Sequence, residues 1–274
     1  MPPFDLDAYL TRIGLTRADV PVSPEGLRIL QTAQLRSIPF EDIAPYLGET
    51  PDLSMSAIFG KTVHGGRGGY CFELNQLLQS ALEALGFQVR RSMGRVRRAT
   101  PQGGARSHLL LQVSIDGARW LADAGFGGPG ALIPLEIDCD RDQPAPNGLY
   151  RLRDDPATKE RVLERRGSGD SSGDWVALYA FDDAHVGDLD IEGANFLCAN
   201  WDQMPFSSHL MLAGFDGDTR LGLFDLNLSE FTAQGETRRR LESYHAFSNL
   251  VRDRLHLRLE PETVASLWRR LNDS

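Results

Sequence analysis

The chain has 274 residues, 41% of them hydrophobic, which is enough to bury a sizeable core and to form two or three small domains. Its formal net charge of −9 disfavours a general nucleic-acid-binding role, because phosphate recognition needs a basic surface. Three cysteines without framework spacing, the lack of a recognisable signal peptide and the lack of a long apolar stretch predict a cytoplasmic protein without membrane spans.

The N-terminal part is predicted to be mainly helical. Residues 5–13 have helical spacing, and Ser23 with Pro24 suits the N-cap and first turn of a second helix. The strongest helical pattern begins at Cys71, where leucines and alanines recur on one side, and Gly86 marks its end. We expect that side to pack into the core and to hold the helix rigidly.

From residue 87 the hydrophobic pattern changes to the alternation that is typical of strands. A barrel or a curled antiparallel sheet is therefore predicted for the middle of the chain. The predicted strands cover residues 88–96, 108–115, 118–122, 148–152, 161–165 and 175–181.

The C-terminal part mixes both patterns. A connecting helix is predicted over residues 190–201, and a final helix over residues 261–271 has its acidic residue early and its arginines late, as the helix dipole favours. The strands predicted between them cover residues 209–215, 220–226 and 230–234.

Together these patterns predict an α+β fold with an N-terminal helical domain, a middle antiparallel β-barrel-like domain and a small C-terminal α/β domain. We place these domains at residues 1–86, 87–189 and 206–274, with a connecting segment at residues 190–205. A cleft is expected between the first two domains.

A glycine-dense segment, GGRGGYCFELN at residues 65–75, leads directly into the helix that begins at Cys71. A thiol at a helix N-terminus lies beside unpaired N–H groups and the positive end of the helix dipole, which favour the nucleophilic thiolate. The glycines let backbone approach closely and leave the sulfur reachable. Cys71 is therefore predicted to be a catalytic nucleophile, whereas Cys139 and Cys198 are interpreted as small buried hydrophobic residues.

Two apolar runs flank the pair Asp116-Gly117, which is the strongest short-range signal for a β-hairpin. With a two-residue turn, His108 and Asp123 point to the same face of the sheet as diagonal neighbours, within reach of each other's side chains. A slip of one residue would place them on opposite faces. The spacing therefore predicts a His–Asp pair on a rigid hairpin.

Cys71, His108 and Asp123 together predict a triad arranged as in cysteine proteinases. His108 would accept the proton of Cys71, and Asp123 would orient the imidazole and stabilise its protonated form. Each residue alone has a plainer interpretation, as a buried hydrophobic cysteine, a structural strand histidine and a turn aspartate. Their shared face and the helix-start context favour the triad.

Four segments carry a resemblance to a known family. RGGYCFELN around Cys71, the strand that begins at His108 and DAGFG at residues 123–127 together resemble the bacterial arylamine N-acetyltransferases, which are also known as N-hydroxyarylamine O-acetyltransferases. LRSIPFEDI at residues 35–43 resembles the N-terminal motif of that family. The likeness covers nearly the whole chain.

The resemblance implies a reaction in two steps through an acetylated cysteine. Acetyl-coenzyme A would acetylate Cys71, and an arylamine, arylhydrazine or N-hydroxyarylamine would then take the acetyl group. In this scheme Cys71 is the nucleophile, His108 the base and Asp123 its orienting partner.

The resemblance also implies residues that bind substrate or support the site. Phe40 would face the aryl substrate, and Phe126 and Gly127 would line the cleft. Arg67 and Glu41 would form an ion pair that braces the active-site loop, with two solvated charges as the alternative.

One segment departs from the family pattern. Asn200-Trp201 is followed by DQMPFSS, where the family commonly has a stretch rich in serine and threonine. Phe206 in this segment is predicted to be a pocket wall, with core or hinge packing as the alternative. The acceptor preference is therefore left open.

Coenzyme A is anionic, so a local basic patch is expected despite the negative net charge. A dense set of arginines could provide it, with a solvated strand-edge cluster as the alternative. The set consists of Arg90, Arg91, Arg95, Arg97 and Arg98.

The function that we expect is acetyl transfer from acetyl-coenzyme A to small aromatic amines or hydrazines. No permanently bound cofactor, metal, nucleic acid or membrane partner is expected, and the oligomeric state is left open. Three alternatives remain: an amide synthase that releases or cyclises a carrier-bound acyl chain, a cysteine hydrolase and a non-catalytic binding protein.

Overall fold

The structure is a computed structural model that describes residues 4–97, 102–166, 174–232 and 234–273. The helices within these residues are α1 (Leu6–Arg12), α2 (Pro24–Ser37), α3 (Ile43–Tyr46), α4 (Met55–Phe59), α5 (Cys71–Ala84), α6 (Asp188–Asn200), α7 (Tyr244–Asn249) and α8 (Pro261–Asp273). The strands are β1 (Phe40–Glu41), β2 (Gln88–Val96), β3 (Arg106–Ile115), β4 (Ala118–Ala122), β5 (Leu135–Glu136), β6 (Gln143–Ala145), β7 (Gly148–Asp154), β8 (Arg161–Arg166), β9 (Val176–Phe181), β10 (Met211–Asp216), β11 (Thr219–Phe224), β12 (Asn227–Thr232) and β13 (Gly235–Arg240).

In the N-terminal part, the residues predicted to begin and end helices lie at helix ends. Ser23 caps α2, since its hydroxyl accepts from the Gly26 amide at 3.1 Å and Pro24 occupies the first turn. α5 begins at Cys71, and Gly86 follows it with a φ of +93°, a conformation that glycine adopts without strain. The leucine side of α5 is buried in the largest of three hydrophobic clusters, as predicted.

Eight strands form one antiparallel sheet in the order β5-β4-β3-β2-β9-β8-β7-β6. Its interior is filled by side chains that include Leu110, Tyr150 and Phe181. At the two edges, the Gln143 side chain on β6 donates to the carbonyl of Glu136 on β5 at 2.9 Å and accepts from its amide at 2.8 Å. These bonds bring the edge strands together, so the sheet forms a nearly closed barrel, as predicted.

A second sheet has the order β1-β10-β11-β12-β13 and packs against α7 and α8. Its first strand, β1, comes from the N-terminal part of the chain, and Phe40 pairs with Ala213. The elements that were not predicted from the sequence are α3, α7, β1, β5, β6 and β13. β1 is too short to show alternation, and β13 is exposed along its whole length and therefore carries no hydrophobic signal.

The α+β class with helices, barrel and C-terminal sheet is confirmed. The domain boundaries remain a prediction, and the pairing of β1 with β10 ties residues 1–86 to residues 206–274. No helix in the described part of the chain is long and apolar enough to cross a membrane.

Candidate active site

Cys71 is the first residue of α5 and is almost fully buried, with 4% of its surface exposed. The Glu73 carboxylate accepts from the Tyr70 amide at 3.1 Å and so caps the helix start. The Tyr70 hydroxyl in turn donates to Asn195 on α6. The thiol is therefore held at a helix N-terminus, as predicted.

The hairpin that carries His108 and Asp123 has the predicted register. Asp116 and Gly117 form a two-residue turn with φ values of 49° and 81°, and Leu111 pairs with Ala122. His108 Nε2 lies 2.7 Å from Asp123 Oδ2, and both side chains are buried. The two-residue turn therefore brings the His108 imidazole into contact with the Asp123 carboxylate, as the spacing predicted.

The imidazole of His108 is also close enough to the Cys71 thiol for each group to shift the pKa of the other. Because Nε2 faces Asp123, Nδ1 is the nitrogen left for the thiol. The structure thus brings the three predicted residues together, with His108 between the other two.

The electrostatics favour a protonated imidazole. Burial alone lowers the pKa of His108, but the charge and hydrogen bond of Asp123, with a smaller contribution from Cys71, outweigh it and raise the pKa to about 10. Burial raises the pKa of the Cys71 thiol, and the hydrogen bond and charge of His108 oppose that rise. Protonated His108 therefore favours the Cys71 thiolate, and burial works against it.

Asp123 stays ionised because its buried oxygens accept several hydrogen bonds. Burial raises the pKa of this carboxyl, but His108, Asn75 and the Gly125 amide together bring it below its ordinary value. Asn75 Nδ2 and the Gly125 amide donate to Oδ1 at 3.0 and 2.9 Å, and the Tyr179 hydroxyl donates to Oδ2 at 2.9 Å.

Neither Asn75 nor Tyr179 was predicted from the sequence to belong to the site. Asn75 follows Cys71 by four residues, so it lies on the same face of α5, and this spacing was a usable signal. Tyr179 lies on β9, which pairs with β2. Nothing in the local sequence indicates that pairing.

A cleft with about 420 Å³ of space, part of it open to solvent, lies beside the triad. It is lined by Asp123 and by three residues that were predicted to contact substrate, Phe40, Phe126 and Gly127. The Phe126 ring is 5.2 Å from the His108 ring between centroids. A side chain at Gly127 would collide with the Phe40 ring, so glycine keeps the cleft open.

Phe206 lies apart from that cleft. Its ring contacts the Tyr70 ring edge-on, with 5.8 Å between centroids, beside the start of α5. It is partly buried against the main hydrophobic cluster. Asn200 and Trp201 stand at the end of α6, and Trp201 is exposed.

Arg67 donates to the fully buried Glu41 carboxylate at 2.6 Å. Lys61, which the sequence analysis did not single out, lies 3.2 Å from Glu41 and 2.9 Å from Glu73. Two of these four charged residues, Arg67 and Glu73, belong to the glycine-rich segment, and Gly69 of that segment forms backbone hydrogen bonds with both neighbours of Phe40. This network fixes the backbone that leads into Cys71.

The four described arginines of the predicted basic set all face carboxylates. Arg95 and Arg97 bind Glu160, and Arg97 also binds Asp155 and is itself buried. The remaining two described arginines also face carboxylates, Arg90 with Asp183 and Arg91 with Asp188. Arg98 lies outside the described residues.

The other two cysteines differ from each other. Cys198 is fully buried, as predicted, whereas Cys139 is only half-buried, because it lies after the short edge strand β5. Among the described residues no group of three or more histidine, cysteine or acidic side chains could hold a metal ion.

Comparisons with known proteins point in one direction. The N-acetyltransferase family model matches residues 24–264. An arylamine N-acetyltransferase / N-hydroxyarylamine O-acetyltransferase from Salmonella typhimurium is 36% identical over 208 residues, which cover 76% of this chain and 72% of that protein.

Two solved structures are similar along the whole chain. The arylamine N-acetyltransferase from Salmonella typhimurium has a TM-score of 0.89 at 30% identity and covers 98% of both chains. The Mycobacterium marinum arylamine N-acetyltransferase in complex with CoA also has a TM-score of 0.89 at 30% identity, over 98% of this chain and 99% of that one.

Proposed function

Because the chain belongs to the N-acetyltransferase family, we propose that it transfers acetyl groups from acetyl-coenzyme A to arylamines, arylhydrazines or N-hydroxyarylamines. The observation that carries this proposal is the buried contact of His108 with Asp123 at 2.7 Å, with the Cys71 thiol near the same imidazole. The resulting intermediate is an acetyl thioester of Cys71.

The first half-reaction acetylates the enzyme. The Cys71 thiolate attacks the carbonyl carbon of acetyl-coenzyme A, and the tetrahedral intermediate collapses with the coenzyme A sulfur as leaving group. His108 gives its proton to that sulfur, so free coenzyme A leaves as a thiol. The N–H groups at the start of α5 are candidates to stabilise the oxyanion.

The second half-reaction returns the enzyme to its resting state. The neutral His108 imidazole takes a proton from the amine as its nitrogen attacks the thioester carbonyl. The Cys71 thiolate then leaves, and the imidazolium beside it is regenerated. Asp123 supports both half-reactions, because it stabilises the protonated imidazole.

The cleft supports an aromatic acceptor. Phe40 and Phe126 present rings to it beside Asp123, and weakly basic aryl amines are neutral and suit such walls. Acetyl-coenzyme A enters as a substrate, and the complex of the Mycobacterium marinum relative with CoA supports this assignment.

Intact mass spectrometry tests the proposal directly. Incubation with acetyl-coenzyme A alone is expected to add one acetyl group to Cys71, and an aryl amine such as aniline is expected to remove it as the acetylated amine forms. The Cys71→Ala variant is expected to take up no acetyl group and to lose at least about 1,000-fold in activity, since triad nucleophiles contribute that much or more.

Cys139→Ala is the matched control, since that thiol lies on the barrel away from α5, and it should behave like the unchanged protein. Acetylation that persists in Cys71→Ala would contradict the proposed nucleophile. Rapid alkylation of Cys71 without any acetyl adduct would point instead to a carrier-bound acyl donor or to hydrolysis.

A further inference from the structure

A second thiol lies beside Cys71 and has no part in acetyl transfer. Cys198, in the last turn of α6, is fully buried, and its Sγ lies 3.6 Å from the Ser107 carbonyl oxygen. The Cys71 Sγ lies 3.7 Å from the same oxygen. Because both sulfur atoms lie near this one oxygen atom, they can be no further apart than the sum of the two distances.

We propose that Cys198 is a resolving thiol, which forms a disulfide with Cys71 after a hydroperoxide has oxidised Cys71 to the sulfenic acid. The disulfide stops acetyl transfer, because it occupies the nucleophile, and it protects Cys71 from further oxidation. The inference rests on the reactive Cys71 thiolate of the proposed function and adds a redox modification site to it.

Both chemical steps balance. In the first, the Cys71 thiolate attacks one oxygen of hydrogen peroxide, the O–O bond breaks, and the released hydroxide takes a proton from protonated His108 and leaves as water. In the second, the Cys198 sulfur attacks the Cys71 sulfur, the S–O bond breaks, and the displaced hydroxide takes the Cys198 proton and leaves as a second water. The thiols lose two electrons in total, and the peroxide gains them.

The two thiols are suited to different roles. Only the Cys71 thiol has an imidazole beside it, so it is the one that peroxide oxidises first. Burial raises the pKa of Cys198 to about 12, which keeps it a neutral thiol that is slow to react with peroxide itself.

Position favours the pair over any external thiol. Both sulfurs are shielded from solvent, so an external thiol reaches Cys71 with difficulty. Cys198 is already close to Cys71, and this gives the intramolecular reaction a large advantage in effective concentration. A disulfide requires an S–S bond of about 2 Å, so one side chain has to rotate away from the Ser107 carbonyl. Cys198 stands two residues before the end of α6, where the helix can adjust most easily.

The test is oxidation of the purified protein with about five equivalents of hydrogen peroxide per chain, enough to carry a cysteine to the sulfonic acid, followed by denaturation in N-ethylmaleimide and by intact mass and peptide mapping. The unchanged protein is expected to lose two hydrogens, to yield a peptide pair joined through Cys71 and Cys198, and to lose acetyl transfer. Dithiothreitol is then expected to restore most of the activity.

Cys198→Ala and Cys198→Ser are expected to retain basal transfer but to form no such disulfide. Their Cys71 should instead gain two or three oxygens, and dithiothreitol should restore less than about a tenth of the activity, since those oxidation states are not reversed by thiols. Cys139→Ser is the matched control and should behave like the unchanged protein.

Three results would overturn the inference: oxygen addition to Cys71 without a disulfide in the unchanged protein, a disulfide that uses Cys139 or a second chain, or equal recovery of the Cys198 variants. Acetylation of Cys71 by acetyl-coenzyme A, measured on the same samples before oxidation, separates these failures from a failure of the proposed function. If the acetyl adduct forms and the disulfide does not, only the resolving role is wrong.

Discussion

At the scale of single residues, the site depends on the contact between His108 and Asp123. Both groups are buried, and burial disfavours the charge on each of them. Their mutual attraction at 2.7 Å outweighs that penalty, and the pKa values move apart, up for the imidazole and down for the carboxyl. Asp123 therefore raises the basicity of His108, the imidazole that faces the Cys71 thiol.

Asp123→Asn keeps the shape of the side chain and removes its charge. The pKa of His108 is expected to fall, because the largest raising interaction is lost while burial continues to lower it. Less thiolate then forms, so the alkylation of Cys71 by iodoacetamide at pH 7 and kcat/KM should each fall by about 100-fold or more. Asp138→Asn, which removes an exposed partner of Arg119 on the barrel, is the control. Equal alkylation rates in the two variants would contradict the role given to Asp123.

The same contact predicts how stability depends on pH. The pKa of His108 is about 6.5 in an unfolded chain and about 10 in the folded protein. Because the pKa of His108 is higher in the folded protein, the protonated imidazole stabilises the fold fully below about pH 6.5. This stabilisation is lost as the pH rises towards about 10.

Between those values the unfolding free energy of the unchanged protein should fall relative to His108→Gln, by up to about 1.4 kcal/mol for each pH unit. Urea denaturation of the two proteins across this range measures the difference. Parallel pH profiles would show that the imidazole gains no such stabilisation from its partners.

At the scale of the elements, α5 and the β3–β4 hairpin are joined by one side chain. Asn75 Nδ2 donates to the Leu109 carbonyl at 2.6 Å and to Asp123, and its Oδ1 accepts from the Ala124 amide at 2.9 Å. Gly125 lets the chain pass close to the helix, since a Cβ there would lie 2.8 Å from the Cys71 Cα. The nucleophile and the His–Asp pair therefore share one rigid junction.

Asn75→Ala is expected to cost about 2–4 kcal/mol of stability, because it leaves a buried carbonyl, a buried amide and one carboxylate oxygen short of a partner. Activity should fall further than the loss of folded protein explains, since Asp123 is no longer held in place. Thermal unfolding and initial rates below the unfolding range measure the two effects. Gln76→Ala, which removes a contact within α5 only, should cost less than about 1 kcal/mol. A similar cost at both positions would contradict the special role of Asn75.

At the scale of the whole molecule, β1 connects the helical part to the C-terminal sheet. Glu41 bonds through its backbone amide to Gly69 in the segment before Cys71, and it pairs with Leu212 on β10. Asp42, directly after β1, is buried and accepts from the Met211 amide at 2.8 Å. The C-terminal sheet therefore supports the backbone that carries the nucleophile.

Asp42→Asn is expected to stabilise the protein at neutral pH. Burial raises the pKa of Asp42 in the folded protein well above its ordinary value. In the unfolded chain Asp42 ionises above about pH 4, and this favours the unfolded state more strongly as the pH rises. Asparagine keeps an oxygen for the Met211 amide and carries no charge.

The gain should be about 1 kcal/mol or more at pH 7 and should vanish near pH 3.5. Melting temperatures at both pH values test it, and Asp52→Asn, at an exposed carboxylate, is the control and should show no gain. If Asp42→Asn were less stable than the unchanged protein at pH 7, the Asp42 carboxylate would have to be ionised in the folded protein, with hydrogen-bond partners that stabilise its charge.

Local signals in the sequence determined the helix that begins at Cys71 and the hairpin that joins His108 to Asp123. Helix starts and two-residue turns depend on neighbours within a few residues, so the register and the shared face follow from the sequence alone. The Arg67–Glu41 contact and the cleft position of Phe40 came from family resemblance, because no local rule indicates them.

Only the tertiary structure decided what surrounds these residues. Tyr179 reaches Asp123 because β9 pairs with β2, Lys61 joins two buried glutamates, and Cys198 lies by Cys71 because α6 packs on β3. These contacts join residues far apart in the chain, and they form because burying apolar surface is favourable, with no periodic pattern to show which elements will meet. The arginine set shows the same limit, since its carboxylate partners lie some 60 to 100 residues away and neutralise a cluster that looks basic in the sequence.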